Sequence, residues 1–201
     1  MKTITLSIAA IIVLSGVAYF VVRDTNALLE APSEESALTA THVPTLLRGA
    51  VMHIPLGETE TDVTIDSYAS GDAIVLGGAT DEGESTVTVF IPEFRDDFTQ
   101  GAWGIVDGTS VYVPTYVNFG GTGQFFMVAL FTYDAETKTL IHKDLHFVND
   151  RIAYDGMVQS EKDTITVMYR THAEGEAMAE EPTLAAQRIL RNAQGKLEIL
   201  E

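Results

Sequence analysis

The sequence predicts a mostly β domain, an antiparallel sandwich or barrel-like fold, following one N-terminal transmembrane helix. Three observations carry this expectation. Ile4 to Val22 is an uncharged run of 19 residues between Lys2 and Arg23. Downstream of Pro44 apolar residues recur at every second position rather than with a helical period. Turn-forming residues then punctuate the chain at short intervals. With 201 residues, 46% of them hydrophobic and 20% charged, the chain can hold one core of ordinary size plus an anchor and a linker.

The first element is the anchor. At ~1.5 Å per residue, a helix over Ile4 to Val22 reaches ~28 Å, close to the hydrocarbon thickness of a bilayer. A cleaved leader is the rival reading, because Gly16-Val17-Ala18 places small residues at a cleavage site. The apolar run continuing through Tyr19, Phe20, Val21 and Val22 favours an uncleaved span. Lys2 on the short side and an acidic remainder on the other predict a C-terminal domain outside the cytoplasm. Residues 24–43, mixed in Ala, Ser, Thr and Glu without a sustained period, read as a flexible tether. The expected organisation is therefore an anchor over 1–23, a tether over 24–43 and an extracytoplasmic β-rich domain over 44–201.

Strands are expected at Gly49 to Ile54, Asp62 to Tyr68, Ala73 to Leu76, Thr86 to Ile91, Ser110 to Asn118, Lys138 to Val148, Arg151 to Val158 and Thr164 to Tyr169. Turn chemistry separates them at Ser70-Gly71-Asp72, Asp81-Glu82-Gly83, Asp107-Gly108 and Asp134 to Thr137. Gln124 to Phe131 is apolar on both faces, which predicts an inner strand covered on both sides. Leu184 to Asn192 fits a helix or a strand by composition. The turn at Asn192 to Gly195 precedes a further strand candidate, Lys196 to Leu200. Trp103 is expected in the core.

Charge and composition exclude whole classes of function. Twelve Lys and Arg stand against 29 Asp and Glu, a formal net charge of −17, and such a field repels nucleic acid. The absence of Cys removes disulfides, thiolate metal sites, Cys nucleophiles and lipidation. No cofactor motif is present and no catalytic residue stands out. The carboxylates, for example Asp81, Glu82, Glu84, Asp96 and Asp97, are too numerous for a pair to be singled out.

His142, Asp144 and His146 occupy alternate positions of one expected strand, so all three would project from the same face. Neighbours two apart, ~7 Å at Cα, suit a shared metal, but the two histidines, ~13 Å apart, cannot bind one ion directly. The expectation is a solvent-facing row and no metal site, with Ile141, Leu145 and Phe147 supplying the core. Gly120-Gly121-Thr122-Gly123 lacks the following Lys-Ser/Thr and helix of a phosphate loop, and reads as a hairpin turn needing positive φ. Asp150 and Arg151 follow a strand and are expected to pair locally at a corner.

Two blocks carry a resemblance. The first is Asn118 to Phe126, with paired glycines, Thr, Gly and an aromatic strand. The second runs from Asn149-Asp150-Arg151-Ile152 through Ile165 to Arg170 and on to Gly175-Glu176-Ala177-Met178. Together they resemble a family of uncharacterised membrane-anchored or lipoprotein-type β-rich domains of bacterial candidate phyla. This chain departs from the family pattern at Asn149 and Ala177. The resemblance implies an envelope location and β architecture, and brings no activity. The candidate binding residues are Gly121, Thr122, Gly123, Asp150 and Arg151. The expected function is non-catalytic binding of a protein or envelope component, with the membrane as a partner through the N-terminal helix. The alternative is an envelope hydrolase using an unidentified carboxylate pair.

Overall fold

The computed structural model describes residues 37–70, 73–82, 85–92, 94–96, 99–177 and 180–200, so the expected anchor and most of the tether lie outside the described residues. Among the described residues no helix is long and apolar enough to cross a membrane. The compact unit begins at Leu38. Its first residues, expected as tether, form a 3₁₀ turn (Ala40–His42) and a short helix, α1 (Val43–Leu47), with Val43 and Leu47 fully buried. Pro44 sits in the first turn of α1, where its missing N–H costs nothing. Leu47 to Ala50 closes with the φ pattern of a type II turn. Arg48 has φ −65° and ψ 121°, Gly49 has φ +83°, and the Ala50 N–H donates to the Leu47 carbonyl at 3.0 Å.

β1 (Val51–Leu56) and β2 (Thr59–Thr64) form an antiparallel hairpin that buries Met52, Ile54 and Val63 on one face. The single strand expected over Asp62 to Tyr68 is instead divided at Ile65. Both backbone groups of Ile65 bond back to Gly49 and Ala50, and the chain then enters another sheet as β3 (Asp66–Ser70). That sheet continues through β4 (Ala73–Glu82), β5 (Ser85–Ile91), β8 (Ile105–Asp107), β9 (Ser110–Asn118), β10 (Phe125–Asp134) and β11 (Thr139–Asp150). Its order is β11-β10-β9-β5-β4-β3, with β8 also paired to β9. Between β5 and β8 in sequence lies a small hairpin of β6 (Phe94–Asp96) and β7 (Thr99–Ala102). Pro114 falls in β9 between the stretches paired to β8 and to β5, where that edge loses no ladder bond.

A second sheet runs in sequence order: β12 (Ala153–Glu161), β13 (Thr164–Thr171), β14 (Leu184–Ala193) and β15 (Lys196–Leu200). The ambiguous segment is therefore strand β14. Its Leu, Ala, Gln and Arg are good helix formers, but pairing on both edges with β13 and β15 overrides that local preference.

β10 separates two apolar clusters, as its two-faced pattern predicts. Met127, Ala129 and Phe131 pack with α1 and the β1–β2 hairpin, together with Trp103, while Phe126, Val128 and Leu130 pack under the four-stranded sheet. The observed arrangement thus has a cover on each face of the central sheet rather than two sheets alone.

Candidate functional site

The site begins with an irregularity in the β10–β11 ladder. Leu130 pairs with Asp144, but Phe131 pairs with His142, so Lys143 is an extra residue on β11. One inserted residue reverses the facing of everything before it. His142 accordingly lies on the hairpin side of the sheet, edge-on to Phe131 with ring centroids 5.2 Å apart. Asp144 and His146 lie on the opposite side, opposite Leu130 and Val128 of the other cluster. The expectation that His142, Asp144 and His146 share one solvent-facing row is thus corrected by the bulge, and the three do not converge on one ion. Ile141 and Phe147, expected in the core, are instead 43% and 46% exposed.

Each half of the divided row meets different partners. Asp144 accepts the backbone N–H of Leu197 at 2.7 Å, tying β11 to β15. Burial lowers the His146 pKa, opposed by Asp144. On the other face, His142 Nδ1 accepts the backbone N–H of His53 at 3.3 Å, which ties β1 to the edge of the central sheet. The two imidazole rings are 5.5 Å apart. His53 in turn sits 2.6 Å from the Asp62 carboxylate on β2. Burial, with the neighbouring His53 adding to it, pushes the His142 pKa down to about 4.

His53 and His142 line an open cleft of about 510 Å³ between the α1–β1 turn and the β10–β11 loop. Arg48 enters it from the type II turn and Lys138 from the loop, with Leu46 and Ile141 adding apolar wall. Asp134 shapes that loop by accepting from the Glu136 N–H at 2.9 Å and the Thr137 hydroxyl at 2.9 Å, bonds that hold its carboxyl pKa low. Lys138 then takes φ +56°, a left-handed conformation uncommon for a non-glycine residue. Among the described residues no aspartate or glutamate lines the cleft, although acids outnumber bases 29 to 12 in the chain. Neither Arg48 nor Lys138 forms an ion pair among the described residues.

The residues singled out by sequence form a separate corner. Asn118 organises the glycine block: its side-chain amide donates to the Gly121 and Gly123 carbonyls at 2.9 and 2.7 Å, and its oxygen accepts the Gly120 N–H at 2.8 Å. The glycine at positive φ is Gly120 at +83°, and neither Gly121 nor Gly123 shares that conformation. A Cβ on Gly121 would meet almost nothing, whereas one on Gly123 would touch the Phe125 ring at 3.4 Å and approach Asp150 Oδ1 at 4.0 Å. Thr122 is exposed. Arg151, at φ +48°, donates its backbone N–H to the Gln124 carbonyl at 3.0 Å, and its Nε lies 3.5 Å from Asp150. The two blocks of the resemblance therefore meet in space, as a braced corner. In the remaining part of the second block, Glu176 accepts the Ala173 N–H at 2.7 Å and lies 3.6 Å from His172, a local loop clasp.

No protein-family model matches the chain, and neither a curated protein nor a solved structure matches it. Sequence reasoning missed Arg48, His53, Asp62 and Lys138. The available signal was scarcity: in a chain this acidic, each cation placed in a turn is worth locating.

Proposed function

We propose that this chain is a non-catalytic binding domain displayed outside the cytoplasm by one N-terminal membrane helix, and that its ligand docks in the cleft between α1, β1 and the β10–β11 loop. The envelope setting agrees with the family that the glycine and Asp-Arg-Ile blocks resemble. One observation carries the reading: Arg48, Lys138, His53 and His142 line an open cleft with no carboxylate in its wall among the described residues, in a chain of net charge −17.

The hydrolase reading has one observation in its favour, the Asp62–His53 contact, which has the form of a carboxylate orienting a base. Apart from Asp62 itself, no hydroxyl or carboxyl group among the described residues is seen hydrogen-bonded to His53, so no nucleophile stands beside the base. Binding is therefore the better-supported function. Cell fractionation tests the setting. The full chain is expected to stay in the membrane pellet through an alkaline wash, with its domain open to protease added from outside the cytoplasm. A mature soluble chain beginning at Tyr19 would contradict it.

A further inference from the structure

We infer that the cleft receives a compact oxyanion, a phosphate or carboxylate group at one end of a small organic ligand, held between Arg48 and Lys138 and hydrogen-bonded by His142. This deepens the reading of the chain as a binding domain and rests on it.

The first argument is an unfilled donor. Because His142 Nδ1 accepts the His53 backbone N–H, the neutral ring carries its proton on Nε2. That Nε2 is buried and, among the described residues, makes no hydrogen bond of good geometry, with the Asp144 backbone close enough to the ring to oppose the fall in its pKa. Because that atom has essentially no accessible surface, a ligand oxygen reaches it only when the ring or its cover shifts, and an anionic oxygen then makes the stronger bond.

The second argument is how the cations are held. Arg48 occupies a turn position with fixed φ and ψ, and Lys138 is kept at positive φ by the Asp134-centred loop. Neither is paired with a carboxylate among the described residues. A guanidinium and an ammonium lining the same cleft match the spread charge of a phosphate or carboxylate. The third argument is size: about 510 Å³ lies within the ~300 to 1,000 Å³ typical of organic-ligand pockets. Leu46 and the exposed Ile141 offer contact to an apolar remainder.

Binding should be coupled to protonation. The charged and titratable groups around His142 are His53 from β1, Asp62 behind it from β2, Arg48 from the α1–β1 turn, Lys138 from the loop and Asp144 from its own strand, on the other face. An added anion favours the imidazolium, but the second proton goes onto Nδ1 and displaces the bond from the His53 N–H, so proton uptake and loss of that anchor are linked as pH falls towards 4.

The test uses the full chain in phosphatidylcholine nanodiscs, with imidazole ¹⁵N signals followed by NMR at constant ionic strength. Sodium phosphate and sodium acetate are titrated in separate arms, and a third arm replaces part of the lipid by phosphatidylglycerol without added anion. The expected result is a saturable shift of the His142 and His53 signals, about tenfold weaker in Arg48→Gln/Lys138→Gln, whose exposed turn positions leave the fold intact. Response to free phosphate or acetate assigns a soluble ligand. Response confined to phosphatidylglycerol assigns a lipid headgroup, and either upholds the oxyanion site. Unmoved histidine signals in all three arms, or equal shifts in the double variant, would overturn it. Such a failure leaves the fractionation result untouched, so the two proposals fail separately.

Discussion

The two faces of β11 receive neighbouring residues of one sequence and use them in opposite ways. On the side of the four-stranded sheet, Asp144 is occupied by the Leu197 N–H and serves as a clasp between sheets. On the hairpin side, His142 is anchored through one nitrogen and keeps the other buried beside an open cleft, without a hydrogen bond of good geometry among the described residues. An unmet bond is not by itself the difference, since His146 Nε2 on the four-stranded side is also buried without a partner among the described residues; what sets His142 apart is the open cleft it lines with Arg48 and Lys138. A single bulged residue, Lys143, makes the difference.

The comparison can be broken most forcefully with acid. His142 has a folded pKa of about 4 against an ordinary 6.5, so the unfolded chain takes up the proton first. The stability this gives is fully present above pH 6.5 and is lost as pH falls towards 4. Allowing for solvent at the cleft, the loss is roughly 2 to 3 kcal/mol. Urea melts at stepped pH should show His142→Phe with a shallower acid slope than wild type, while the carboxylates titrate alike in both.

Removing the clasp comes next. Asp144→Ala leaves the Leu197 N–H without its acceptor and should cost about 1 to 2 kcal/mol in the same melts. It should leave the response of the His142 signal to phosphate in place, whereas His142→Phe should abolish binding.

The far end of β11, where Asp150 approaches the glycine block, sharpens the contrast at smaller amplitude. Gly120→Val forces a β-branched residue to φ +83° and should cost about 1 to 2 kcal/mol. Gly121→Val and Thr122→Ser, at open and exposed positions, should stay within about 0.5 kcal/mol of wild type by thermal melting.

Much of this fold was legible in the sequence because alternation survives wherever a strand has one dry face. Thr164 to Tyr169 and Thr86 to Ile91 lie within β13 and β5, and the two-faced run of β10 divides two cores. The features that escaped reading are set by partners distant in sequence. Ile65 breaks a strand because it bonds to Gly49 and Ala50, and β14 is extended because β13 and β15 hold it. The candidate site was half legible. His142 was visible as a residue, but its face depends on pairing with β10, and its companion His53 lies 89 positions away. The positive-φ expectation for the glycine block was sound, while the position bearing it, Gly120, is selected by the side chain of Asn118.

The most direct test of the central claim is the tautomer and titration of His142, read from long-range ¹H–¹⁵N spectra of imidazole-labelled protein without added anion. The account predicts a neutral ring protonated on Nε2 at pH 7, with a titration midpoint near 4. A ring protonated on Nδ1, or one titrating near 6.5 like a freely solvated histidine, would contradict it.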